Sequence, residues 1–430
     1  MIPSGQPDSA APADGMEARA DSLAFRAAIL VTSFLILFSR RPDAILNAQF
    51  YAEDGARWFA DAYHLGWHCL SIPDSGYLQT VSRLIGLLSL LFPFARAPLV
   101  MNVCALAIQI LPVSLFLSFR FAAIPLPTRL FASFLYLALP NSFEVHANTT
   151  NVQWHLALAG LLLLLAPAET GRRPRVLDLS VLACSVLDGA AGMLLVPVAG
   201  FLLWKRKDTG SKARLLVLLL GAVLQTAFLL FSNSRRPAPN GASFTRLVGI
   251  VGGQVFLSST LGVRTFIRLF FGHAGHLLLL EAIAAVAGIA IVAYAVFRGP
   301  LELKLLVAYA TAVLVLALAR PVASFAGVLE QWEQLQVPGV GNRYYFFPML
   351  AFFASLLWLA GSSGQAARFA RYSALAVLAL LPIGILRDWE YKPFVDYDFK
   401  AYAADFERAA PGTAVSIPIN PDWRLVLVKH

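Results

Sequence analysis

Along this chain the first residues able to do chemistry are a carboxylate pair, set in Phe50-Tyr51-Ala52-Glu53-Asp54-Gly55-Ala56-Arg57-Trp58-Phe59. A carboxylate among aromatic residues is partly desolvated, which raises its proton affinity and suits it to take a proton from a hydroxyl as a general base. The plainer reading is that Glu53 and Asp54 open a helix, where acids favour the positive end of the dipole. Trp58, Phe59, Ala62, Tyr63 and Trp67 follow, and they suit a helix lying among lipid headgroups.

A second group, Asn141, Glu144, Asn148, Asn151 and His155, is separated by 3, 4, 3 and 4 residues. In a continuous helix the last four share one face within about 60°. Such residues are costly in hydrocarbon, so the stripe either lines a polar cavity or glues one helix to another. A third group is Gly339-Val340-Gly341-Asn342-Arg343-Tyr344-Tyr345, which leads into an apolar run. An arginine at the mouth of a membrane span suits recognition of a phosphate held at the surface. The ordinary alternative is a snorkelling side chain in an aromatic belt. Arg83, in Gly76-Tyr77-Leu78-Gln79-Thr80-Val81-Ser82-Arg83, admits the same two readings.

Asp188 and Glu281 are single acids inside apolar stretches, with His273 and His276 just before the second. Acids at membrane depth mark functional sites by default, although two isolated ones make no proton relay. Walker A, HExxH and GxSxG motifs are absent from the sequence. Cys69, Cys104 and Cys184 are scattered, and His64 and His68 have no third ligand close in sequence, so no metal site is assigned.

The elements that must position these groups are membrane helices. Of the 430 residues, 58% are hydrophobic and only 14% charged, where a soluble domain carries roughly 25% charged. The apolar runs are long and Leu/Ala-rich, not alternating with period two, which excludes a β-barrel. Candidate segments are 23–39, 80–95, 98–119, 129–143, 152–167, 176–204, 215–232, 244–262, 277–297, 305–319, 343–361 and 372–386. Several fall short of the ~20 residues that span a bilayer upright. The net charge of +9 comes from short basic clusters between apolar runs, a membrane pattern and not a nucleic-acid face.

Lys205, Arg206, Lys207, Lys212 and Arg214 mark the cytoplasmic side. From that reference, the loop 40–83, the segment Asn141–His155, the stretch 320–342 and the tail 387–430 all fall outside. The run from Val176 to Leu203 becomes a hairpin with Asp188-Gly189 near its tip, and one of the segments 80–95 and 98–119 must be interfacial. Arg40, Arg41, Arg235 and Arg236 stand against the rule. Residues 1–22, rich in Pro, Gly, Ala and Asp, are expected to be a disordered cytoplasmic N-terminus. The chain is therefore read as an all-α polytopic protein of about 10–13 transmembrane helices over 23–386, with a long first extracytoplasmic loop and a small extracytoplasmic tail.

In this layout, Tyr51-Ala52-Glu53-Asp54-Gly55, Gly76-Tyr77-Leu78 with Arg83, Glu144 with Asn148 and Asn151-Val152-Gln153-Trp154-His155, and Asn342-Arg343-Tyr344 occur in an order that resembles the GT-C superfamily of integral-membrane glycosyltransferases. The nearer likeness is to a group of bacterial multi-spanning proteins of that type. The resemblance implies a sugar donor on a polyprenyl phosphate, used on the extracytoplasmic face of the bacterial inner membrane. An acid of the first loop would deprotonate a glycan, lipid or protein acceptor, which attacks the anomeric carbon with inversion. Asp54 is the first candidate for that base and Glu53 the second. Arg83, Glu144, Asn148, Asn151, His155, Asp188, Arg343 and Tyr344 would then bind substrate, with Arg343 offsetting charge on the leaving phosphate. No organic cofactor is implied; a divalent cation on Glu53 and Asp54 is an option. The rival readings are a transporter or glycan-lipid flippase, and a non-catalytic envelope assembly protein.

Overall fold

Eight helices among the described residues are long and apolar enough to cross a membrane. The computed structural model describes residues 22–167, 171–231, 239–272, 274–323, 329–363 and 367–430. The expectation of a disordered N-terminus therefore lies, Ser22 apart, outside the described residues, as do His273, Arg235 and Arg236.

Helix α1 (Leu23–Arg40) leads into the first loop, then into α2 (Thr80–Ser89) and α3 (Ala97–Phe116). Four short helices follow: α4 (Leu126–Leu137), α5 (Val152–Leu165), α6 (Arg172–Leu187) and α7 (Leu195–Arg206). Next come α8 (Thr209–Phe231), α9 (Phe244–Leu261), α10 (Val263–Gly272), α11 (Ala274–Arg298) and α12 (Leu301–Ala319). The last apolar pair is α13 (Phe346–Ala360) and α14 (Arg368–Arg387). The long apolar helices are α1, α3, α8, α9, α11, α12, α13 and α14, some with a short lead-in turn.

Burial follows sequence pattern. Helix α5, apolar apart from Gln153 and His155 in its first turn, is enclosed by the bundle along nearly its whole length, the expected fate of a helix with almost no polar surface. Helix α11 instead exposes Leu279, Ile283 and Val286, a surface suited to lipid.

Polar contacts sort the helix ends into two layers. In one, Arg120 and Arg214 both bond Asp178, at 2.9 and 2.8 Å. There Arg206 and Arg214 also donate to the carbonyls of Leu164, Leu165 and Ala166 that end α5. In the other layer, Arg40 donates to the carbonyls of Leu137 and Leu139, at 2.7 and 2.9 Å, and to those of Asp388 and Trp389. This explains two exceptions to the charge rule. Arg40 and Arg41 are buried; the first clamps helix ends, and the second lies 4.4 Å over the ring of Phe394.

Of the two segments between which the sequence left a choice, α3 connects the layers. Helix α2 stays in one, because Asp188 caps its start, Ser82 Oγ donates to the Thr149 carbonyl, and Phe94 just beyond it stacks on Phe59. The break at Asp188-Gly189 does separate two arms of a hairpin, α6 and α7.

One correction concerns the tail. Besides α15 (Phe399–Arg408) it holds an antiparallel hairpin, β1 (Ala414–Ile419) and β2 (Trp423–Val428), with Ile417 opposite Leu425. The chain is thus helical in its bundle but not wholly α. Alternation in Val415-Ser416-Ile417-Pro418-Ile419 and Arg424-Leu425-Val426-Leu427 puts apolar residues on one face. That face joins Phe399 and Phe406 in a core with Phe50, Trp58 and Phe59 of the first loop. Tail and first loop are one unit.

Candidate active site

The first loop enters this unit through Ala52, whose N–H donates to the Asn420 carbonyl. A short wide-turn helix then runs Asp54–Phe59 and continues as Ala60–Leu65. Gly55 permits the close approach: a Cβ there would stand 2.9 Å from Ile419 Cδ1. This register turns Glu53 and Asp54 to different surroundings.

Asp54 is buried, and both of its oxygens are occupied. Oδ2 accepts the Thr149 N–H at 2.9 Å; Oδ1 accepts the Thr150 N–H and hydroxyl, both at 2.7 Å. Burial pushes its carboxyl up to about 7, against the pull of these donors. Glu53 is only half-buried and makes no ion pair among the described residues. Burial raises its carboxyl too, while the nearby Arg343 and Arg57 draw it down and Asp74 pushes it up.

Arg343 reaches this place from the other end of the chain. Gly341, with φ 63°, turns the backbone into the short helix Asn342–Tyr345, and glycine is the residue that adopts this conformation without strain. The guanidinium then forms an ion pair with Glu144 and lies 4.6 Å over the Tyr344 ring. Its Nη2 donates to the Val322 carbonyl at 2.8 Å and to the Tyr344 hydroxyl at 3.2 Å. About a quarter of the Arg343 side chain, 26%, remains exposed. Tyr51 and Tyr77 complete the surroundings, both within electrostatic reach of Glu53 and Arg343. Burial holds their phenols above the ordinary range, so they are neutral hydrogen-bond donors at neutral pH. Tyr51 stacks on Phe394 at 5.4 Å, so the tail supports this wall. Among the described residues, neither amide atom of the fully buried Asn342 has a hydrogen-bond partner.

The structure thus brings together Glu53, Glu144, Arg343 and Tyr344 of the expected residues, with Asp54 directly behind them. The others are engaged elsewhere. Arg83 pairs with Asp61 at 2.8 Å and lies 5.0 Å over the Trp58 ring, buried. Asp188 Oδ1 accepts the N–H groups of Val81 and Ser82, at 2.7 and 3.1 Å, and so caps α2. His155 Nε2 donates to the Val145 carbonyl, and its Nδ1 pairs with the Tyr136 hydroxyl.

The polar stripe is not a helical face, which corrects the continuous helix assumed for it. Asn141 and Ala147 have positive φ, a short turn covers Phe143–Val145, and the helix begins only at Val152. Asparagine side chains offer the backbone partners that compete with helix. Here Asn148 and Asn151 both donate to the Glu144 carbonyl, at 2.7 and 2.8 Å, and Asn148 Oδ1 accepts the Asn151 N–H. The segment is a self-bonded loop that presents Glu144 to Arg343 at one end and Thr149-Thr150 to Asp54 at the other.

Glu281 lies apart from the site, against Gly249 and Gly253 of α9. Among the described residues no three His, Cys, Asp or Glu side chains come together as ligands for a metal.

The chain matches no protein-family model and no curated protein.

Residues that sequence reasoning passed over are Tyr51, Tyr77, Asp74 and Asp388. The first two stand inside motifs singled out for their acid and arginine neighbours. Asp388 accepts the N–H groups of Asn141 and Val263, at 3.0 and 2.6 Å, and of Arg264, pinning the start of the stripe loop to the end of α14. No local signal marks a carboxylate whose partners are this distant in sequence.

Proposed function

We propose that this protein is a membrane glycosyltransferase that moves a sugar from a polyprenyl-phosphate donor to an acceptor hydroxyl, at the face where the first loop and the tail meet. That face is the extracytoplasmic one of a bacterial inner membrane in this reading. The observation that carries it is the convergence of a half-buried Glu53, without an ion pair among the described residues, with a partly exposed Arg343, beside neutral tyrosines, at the boundary of the apolar bundle.

In the reaction, the Glu53 carboxylate takes the proton of the acceptor hydroxyl. The acceptor oxygen forms its bond to the anomeric carbon from the side opposite the donor phosphate, and the carbon–oxygen bond to phosphate breaks with inversion. The electron pair leaves on the phosphate oxygen, where Arg343 offsets the developing charge. Asp54 is a positioning residue that fixes Thr149 and Thr150, and through them the loop bearing Glu144. Glu53 replaces Asp54 as the base because Asp54 is buried and already accepts three hydrogen bonds from the protein, whereas Glu53 is only half-buried.

The test is direct. Purified protein with a polyprenyl-phosphate sugar should release polyprenyl phosphate and glycosylate an acceptor; a flippase or an assembly protein would leave the donor intact.

A further inference from the structure

Arg343 is the cation of the proposed phosphate subsite, yet it already holds an anion. Glu144 forms an ion pair with Nη1, and its Oε2 accepts the Arg343 backbone N–H at 3.2 Å. Nη2 is taken by the Val322 carbonyl and the Tyr344 hydroxyl. A phosphate that engages the guanidinium through two parallel bonds, the geometry arginine favours, must take the place of one of these partners. The Val322 carbonyl is fixed backbone, whereas the Glu144 carboxylate carries the charge and the shape that a phosphate replaces.

We infer that Glu144 is an internal stand-in for the donor phosphate, and that binding the lipid phosphate releases it from Arg343. This rests on the reading of Arg343 as the phosphate-binding cation.

The release has somewhere to go. Glu144 begins the self-bonded loop whose other end, Thr149-Thr150, holds Asp54 beside Glu53. Because Asn148 and Asn151 bind the Glu144 carbonyl, a shift at Glu144 moves this loop as a unit. Glu144 therefore discriminates in favour of ligands with enough negative charge to displace it, and it lowers the apparent affinity for them by the fraction of molecules in which Arg343 is already occupied.

The experiment measures binding of a short-chain polyprenyl monophosphate to the purified full chain in detergent, with the uncharged polyprenol and inorganic phosphate as controls. Wild type should bind the lipid phosphate above the polyprenol, and Arg343→Ala should lose that preference. Glu144→Gln should bind the lipid phosphate about tenfold more tightly, because the neutral amide competes less for the guanidinium. Glu144→Ala, a second variant lacking any competitor, should tighten as well; melting of each variant confirms the fold. If both Glu144 variants bind no more tightly than wild type while Arg343→Ala still loses binding, Glu144 orients Arg343 instead of occupying it, and the inference is overturned with the subsite intact. Equal binding by wild type and Arg343→Ala overturns the subsite itself. Displacement of the lipid phosphate by inorganic phosphate at similar concentration would make the site one for a free anion and overturn the lipid assignment.

Discussion

The carboxylate of Asp54 accepts the backbone N–H of Thr149 at 2.9 Å, and this bond ties the first loop to the segment that carries Glu144. With the N–H and hydroxyl of Thr150, it gives this buried acid three donors. Its neighbour Glu53, one residue away, lies within electrostatic reach of Arg343 instead. In the proposed mechanism the two acids of one sequence motif therefore divide into a positioning residue, Asp54, and a base, Glu53.

That division predicts opposite phenotypes. Glu53→Gln should lower donor turnover by about 100-fold or more, the usual weight of a general base, with melting in detergent unchanged. Asp54→Asn should instead lower stability by about 1–3 kcal/mol, since the amide nitrogen faces a donor it cannot accept from. A stable, inactive Asp54→Asn together with an active Glu53→Gln would return the base to Asp54.

Asp54 also gives stability a pH dependence. Its folded-state carboxyl lies at about 7 against an ordinary 3.8, raised by burial. A raised carboxyl contributes stability that is fully present below the unfolded value and is lost as pH rises through the folded one. Melting temperature should therefore fall from pH 4 to 7 more steeply in wild type than in Asp54→Asn, in parallel scans. Equal slopes would remove Asp54 from the titration.

The activity profile should rise with pH as Glu53 ionises, with a midpoint above the ordinary glutamate range, because burial disfavours its charged form. Asp74 pushes the same carboxyl up, so Asp74→Asn should move the rising limb to lower pH without shifting any falling limb. A limb that stays in place, measured on kcat/KM for the donor, would show that Glu53 does not set it.

Asn148→Ala and Asn151→Ala separate scaffold from cavity. Each amide bonds within its own loop, so each variant should lose about 1–3 kcal/mol of stability and keep its turnover per folded molecule. Normal melting with reduced turnover would place these amides on the substrate.

The orientation of the whole is open to chemical labelling. Cysteines at the exposed Ser71 and Ala404, in a background without Cys69, Cys104 and Cys184, should react with an impermeant thiol reagent in intact cells. Cysteine at the exposed Thr209, beside the basic cluster, should react only after lysis. The reverse pattern would place the Glu53–Arg343 site in the cytoplasm.

The sequence by itself determined that this chain is a bundle of apolar helices, because too few charges remain to cover a water-facing surface. It also picked out Glu53, Glu144, Arg343 and Tyr344, since polar residues at membrane boundaries are costly unless they have a purpose or a partner. What it left undecided was which of these had partners. Arg83, Asp188 and His155 look as chemically promising in sequence as Arg343, yet Asp61, the α2 amides and Tyr136 engage them. The spacing of the stripe suggested a helix, but periodicity records only which residues would share a face if a helix formed. Asparagine bonds to the backbone and two positive-φ residues made a loop instead. The proposed choice of Glu53 over Asp54 rests on tertiary contacts alone, the amides of Thr149 and Thr150 that hold Asp54 and a tail that packs back on Phe50. Side-chain type fixes what chemistry a residue can do; burial and hydrogen bonds made across the fold fix whether it is free to do it.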